Sequence, residues 1–145
     1  MRAEENLDEV IYFLSERMMR RAREYSKSEF AKQGFDISID QWVILKRIWE
    51  EQGISQVDLA NATYKDPASV TRILDILEKK GFSERRVDEN SRRAYKIFLT
   101  TQGVLLFDKM LPLVQAIRAK GIENLNEEEI QITKSVLRKM YSNLD

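Results

Sequence analysis

The side chains equipped for recognition chemistry gather between Ser55 and Arg93. Lys65, Ala68, Ser69, Thr71 and Arg72 combine cations with small and hydroxylic groups, and Arg85, Arg86, Asn90, Ser91, Arg92 and Arg93 follow. Arginine presents a planar fork of donors that matches guanine edges and phosphate oxygens, while Ser, Thr and Asn add short hydrogen-bonding groups. That is chemistry for holding a polyanion rather than for making bonds. The chain has no His and no Cys. Their absence removes the commonest general base and metal ligand, and with them disulfides, thiolate zinc and thiol redox sensing. No GxGxxG or GxxxxGK[ST] loop is present, and Ser, Asp, Glu and Lys are not spaced as nucleophile, base and orienting group. Neither an enzyme nor a cofactor is expected.

Lys+Arg and Asp+Glu both number 24 in 145 residues, so the net charge is zero and offers no whole-chain argument for nucleic acid. From Lys65 to Lys96, however, nine cations face six anions, an excess of three that the rest of the chain balances. A basic sub-region is enough to hold a phosphate backbone. The hydrophobic content of 43% is that of a globular chain. No apolar run reaches membrane-spanning length, and MRAEENLDEV lacks an apolar signal core, so the expectation is a soluble, cytoplasmic protein.

The elements that must position the recognition residues can be read locally. Asp66 offers a side-chain cap and Pro67 stands at the first helical position, which predicts a helix over 67–80. Val70, Ile73, Leu74 and Leu77 form its buried stripe, and Ala68, Ser69, Thr71 and Arg72 its front. Such a helix fits the major groove of DNA. Ahead of it, Ser55 caps a short helix with Val57, Leu59 and Ala60 on the inner side, and Ile54 is at most an edge pairing. After it, FSERRV and AYKIFLT read as two strands joined at Asp88, Glu89, Asn90 and Ser91, a wing over 84–99 with Arg92 and Arg93 at or just past its tip.

Outside this lobe, a long helix runs from about Glu5 to Gln33, with the stripe Leu7, Val10, Ile11, Leu14 and Met18 and further apolar surface at Tyr12, Phe13, Met19, Tyr25 and Phe30. Its basic cluster Arg17, Arg20, Arg21 and Arg23 reads as a solvated face. A second helix opens with the capping box Ser38–Gln41 and carries Trp42, Val43, Leu45, Ile48 and Trp49; Trp49 is read as core and Trp42 is left open. Gly34, Gly53, Gly81 and Gly121 stand at helix stops. A helix from Thr100 is apolar nearly all round and contains Pro112, which should kink it. A last helix is capped by Asn126 and Glu127–Glu129, with Ile130, Thr133, Val136, Leu137, Met140 and Leu144 as its stripe. Three apolar helices outside so small a lobe are most simply buried against a symmetry mate.

This order resembles the MarR-type (multiple antibiotic resistance regulator) transcriptional regulators over essentially the whole chain. Leu77, Glu78, Gly81, Arg85, Arg86, Asp88, Arg92, Arg93, Leu99, Thr100 and Gly103 fit the family's pattern around the wing. Asn90 departs from it, standing where the family often places the arginine of Asp-x-Arg, which leaves Arg92 or Arg93 to enter the minor groove. The resemblance implies a mainly α fold: one domain, 1–145, with a winged helix-turn-helix lobe at 37–100 and dimerisation helices at 1–36 and 101–145. It implies a homodimer on double-stranded DNA, usually a repressor on a palindrome, and in many members a small aromatic effector between lobe and dimerisation helices. Tyr12, Arg17, Trp42 and Phe107 are candidate pocket linings, each also explained by core packing or a solvated surface. The alternative function is a winged helix that holds protein rather than DNA, since the excess of three is modest and Asp75, Asp88 and Glu89 lie in the same region.

Overall fold

The computed structural model describes residues 3–145, with Arg92 and Arg93 described by their backbone alone. The elements in chain order are α1 (Ile11–Lys32), α2 (Ile39–Glu50), β1 (Ile54–Ser55), α3 (Gln56–Thr63), α4 (Pro67–Lys79), β2 (Ser83–Asp88), β3 (Ser91–Leu99), α5 (Thr101–Gly121) and α6 (Glu127–Asn143). This is the mainly helical winged helix-turn-helix that the sequence predicts. The three strands form one antiparallel sheet in the order β1-β3-β2, with Ile54 opposite Ile97 and Arg85 opposite that same residue from the other side. No helix among the described residues is long and apolar enough to cross a membrane.

The local signals act as expected where they depend on near neighbours. Ser38 and Gln41 close a capping box on α2, and Asn126 and Glu129 another on α6. Asp66 accepts the Ser69 N–H at 2.9 Å ahead of Pro67. Gly34, Gly53 and Gly81 all have positive φ at helix ends.

The structure also corrects several expectations. The long first helix starts at Ile11, not near Glu5. Asn6 caps a separate 3-10 turn, Leu7–Glu9, and extended Val10 (φ −71°, ψ 121°) interrupts the helical path. Gly121 is the last residue of α5, and the left-handed position falls on Asn124 (φ 65°) instead. Val57 points away from the core and is 70% exposed, because the inner side of α3 is supplied by Leu59, Ala60 and, in part, Ala62. The wing turn shrinks to Glu89 and Asn90, since the Asp88 carboxylate accepts the Asn90 N–H at 3.0 Å and lets β3 begin at Ser91.

Trp42, left open by the sequence, is the buried tryptophan, and Trp49, expected in the core, is the more exposed one. Trp42 is 4% exposed and Trp49 44%. Both stack on Phe107, at centroid distances of 4.8 and 4.6 Å, so the ring of α5 bridges two positions two turns apart on α2. Phe107 is therefore core, and neither of the two cavities beside α1 and α5 includes it. Gly103, Phe107, Met110 and Val114 form the single buried stripe of α5, with Leu105 left exposed, so the helix is not enclosed on all sides by its own chain. No residue of α6 is buried, and Ile132, Leu137, Tyr141 and Leu144 lie open along it.

Candidate nucleic-acid interface

The lobe presents α4 with its back in the core and its front free. Val70, Leu74 and Leu77 are fully buried, Ile73 packs partly beside them, and Ala68 and Arg72 are exposed. Ser69 is fixed by Asp66, its hydroxyl donating to the carboxylate at 2.7 Å, and it accepts from Arg72 Nη2 at 3.1 Å. The Ser69 hydroxyl, and then its N–H, hold the Asp66 carboxyl below its ordinary value. Thr71 donates to the Pro67 carbonyl at 3.0 Å and accepts from Gln56 Nε2 of α3 at 3.1 Å. Its hydroxyl is thus occupied in joining the two helices.

The cations divide into held and open ones. Lys65 Nζ is bound to Asp40 of α2 at 2.7 Å; this hydrogen bond, opposed by burial, leads the forces that lower the Asp40 carboxyl below its ordinary value. Arg23 of α1 reaches the same carboxylate at 3.4 Å. Arg85 is committed to Asp75 and to Glu78 (3.0 Å) on α4. The separation explains this: β2 runs beside α4, and Arg85 and Asp75, although ten residues apart in sequence, meet across that seam. Asp75 leads in raising the Arg85 guanidinium above its ordinary value. Arg86 pairs with Glu84 and lies 4.0 Å over the Phe98 ring. By contrast, Arg72 makes no ion pair among the described residues, and its one hydrogen-bond partner is Ser69. Asn90 and Ser91 are exposed at the wing tip. The side chains of Arg92 and Arg93, one or the other of which is expected to enter the minor groove, lie outside the described residues; their backbone belongs to β3.

Sequence reasoning missed Asp40, Asp75 and Glu78 as partners that occupy two of the candidate cations. The usable signal was the carboxylate spacing on α4, where Asp75 and Glu78 stand three positions apart and so share one face.

Beneath the lobe lies a cavity of about 580 Å³ between α1, α2, the α3–α4 turn and α5. Phe30, Trp42, Val114 and Ile117 give it an apolar wall, and Arg23, Lys46, Arg47 and Arg118 outnumber the single carboxylate, Glu50. The buried Trp42 Nε1 has no hydrogen-bond partner. Of the candidate ligand residues, Trp42 lines this cavity, Arg17 lines a separate groove on α1 and α5, Tyr12 is exposed and lines neither, and Phe107 is in the core.

Comparison with known proteins places this geometry. Residues 37–95, which span α2 to the wing, match the model of the MarR family. The HTH-type transcriptional regulator BilQ of Clostridium symbiosum is 32% identical over 116 residues, covering 80% of this chain and 79% of BilQ. Among solved structures, Bordetella bronchiseptica BpsR, described with regulation of its DNA binding by 6-hydroxynicotinic acid, superposes with a TM-score of 0.88 at 24% identity, over 96% of this chain and 98% of that one. A mutant Escherichia coli MarR in complex with operator DNA gives 0.83 at 25% identity, over 94% and 99%. With its winged lobe, its family match and its relatives in agreement, the chain belongs to the MarR family of transcriptional regulators.

Proposed function

We propose that the protein is a dimeric repressor that reads a palindromic operator through α4 and the wing, and that a small aromatic anion releases it. The observation that carries the reading is Arg72, an exposed arginine with no ion pair among the described residues, on the front of a helix whose back is fully buried. A free guanidinium there is available for a bidentate contact to guanine. Ala68, Ser69 and Thr71 are small enough to let the helix approach the bases, while Arg86, Asn90, Ser91, Arg92 and Arg93 serve the wing. Lys65 and Arg85 hold the interface in shape rather than touch DNA. Dimerisation through 1–36 and 101–145 is supported by α6, since a helix with no buried residue draws little stability from its own chain. The effector is supported by the cavity: Arg118, which makes no ion pair among the described residues, and the unpartnered Trp42 N–H suit a ligand that brings a negatively charged acceptor on an aromatic body.

Selection from a random duplex pool tests the reading. An inverted repeat should emerge, with half-sites about one duplex turn, roughly 34–36 Å, apart. Arg72→Ala should lower discrimination at one base position by about 1–3 kcal/mol, whereas Arg93→Ala should weaken every duplex and flatten the salt dependence. Val57, Ile76 and Tyr95 expose apolar surface on the same lobe, and this favours the alternative, a winged helix that holds protein. No enriched sequence and no retention on heparin at low salt would decide for that alternative.

A further inference from the structure

The turn that delivers α4 is held in a disfavoured backbone conformation. Tyr64 has φ 55° and ψ 35°, a left-handed geometry usually given to glycine or asparagine. The Lys65 N–H returns to the Ala60 carbonyl at 3.2 Å and the Tyr64 N–H to the Asn61 carbonyl at 3.3 Å, which closes the end of α3. These bonds leave the Ala62 carbonyl over. Arg47 of α2 takes it with two donors, Nε at 3.2 Å and Nη2 at 3.0 Å, while its Nη1 is steadied by Glu50 at 3.2 Å. A carbonyl at a helix C-terminus carries partial negative charge, so a guanidinium is the favoured partner. Disfavoured backbone persists where the surroundings over-determine it. Lys65–Asp40 secures the residue after Tyr64, and Arg47 secures the residue two before it. Four residues beyond Ala62, Asp66 caps α4, so a shift of the turn carries Ala68, Ser69 and Arg72 with it.

We propose that Arg47 is a positioning residue for operator recognition: its two-pronged hold on the Ala62 carbonyl sets the angle at which α4 leaves α3. The proposal rests on α4 being the recognition helix. It makes Arg47 matter for discrimination between sequences, not for attraction to phosphate.

The test compares Arg47→Met and Arg47→Lys with the wild type by fluorescence anisotropy, on the pool-selected duplex and on a scrambled duplex of equal length. Arg47→Met should lose about ten-fold on the selected duplex and less than about two-fold on the scrambled one, with Arg47→Lys between. An unchanged ratio, or equal losses on both duplexes as a mere folding defect would give, overturns the proposal. Should Arg47→Met fail to fold, Arg47→Lys carries the test: a reduced ratio supports it and a wild-type ratio overturns it. A wild type that binds both duplexes alike overturns the DNA reading instead, and hydrogen exchange then tests the hold itself. Tyr64 and Lys65 amides that exchange about ten-fold faster in Arg47→Met, with α2 unchanged, support it; unaltered exchange overturns it.

Discussion

Removing Arg85 should weaken both the lobe and its grip on DNA, although the Arg85 guanidinium is held by Asp75 and Glu78. Its side chain is 18% exposed, while Asp75 and Glu78 are 54% and 45% exposed. Hydrogen bonds to charged groups contribute about 1.5–3 kcal/mol where shielded and exposed pairs about 0.2–1 kcal/mol, so two half-shielded bonds place Arg85→Ala at about 1–2 kcal/mol of lost stability. Urea denaturation reads this directly. The loss for DNA has a different origin: two carboxylates three residues apart on α4 become unbalanced, and the excess of three charges over 65–96 falls by one. Binding to every duplex should drop, most at low salt where the repulsion is least screened. The converse variant, Asp75→Asn with Glu78→Gln, frees the guanidinium and should tighten binding to scrambled duplex. Wild-type stability in Arg85→Ala would refute the reasoning. So would a shift of both variants' DNA affinity in the same direction.

Three further outcomes follow from single sites. Gly103→Ala would place a Cβ 2.0 Å from the Phe82 carbonyl oxygen, backbone that also accepts the Thr100 N–H, so it should destabilise by at least about 3 kcal/mol despite alanine's better helix propensity; a thermal melt at or above the wild-type temperature would contradict the packing. The Asp40 carboxyl is lowered in the folded state, chiefly by Lys65, so its contribution is complete above the ordinary value of 3.8 and is lost as pH falls through the lower folded value. Asp40→Asn should accordingly cost about 1 kcal/mol at pH 7 and progressively less as pH falls below 3.8, and a cost that does not change with pH would refute the linkage. Benzoate should alter Trp42 emission and weaken operator binding in the wild type, while benzyl alcohol does neither; equal effects of the two would argue against the charged wall of the cavity.

Much of the scaffold was legible in the chain. The caps at Ser38, Ser55, Asp66, Thr100 and Asn126 each involve a partner three residues on, and the stripe of α4 repeats at helical spacing. The wing was legible from two alternating runs around a polar turn. The candidate site was only half legible. Residue types marked Lys65, Arg72, Arg85 and Arg86 alike as cations, yet their availability differs because Lys65 and Arg85 meet carboxylates on other elements. Nothing in the local sequence distinguishes a free arginine from a committed one.

The sequence by itself determined which segments become helix and strand and which stripe of α4 turns inward, because capping, propensity and periodicity act within about one turn of chain. Tertiary structure alone decided that Trp42 rather than Trp49 is buried, since that depends on which of them the α5 helix covers more fully as Phe107 bridges both. It decided too that Arg47 grips Ala62 fifteen residues away, and that Gly103 must be bare where the Phe82 backbone passes. Those outcomes rest on close packing between elements distant in the chain, where one ångström separates contact from clash and no local pattern carries the distance.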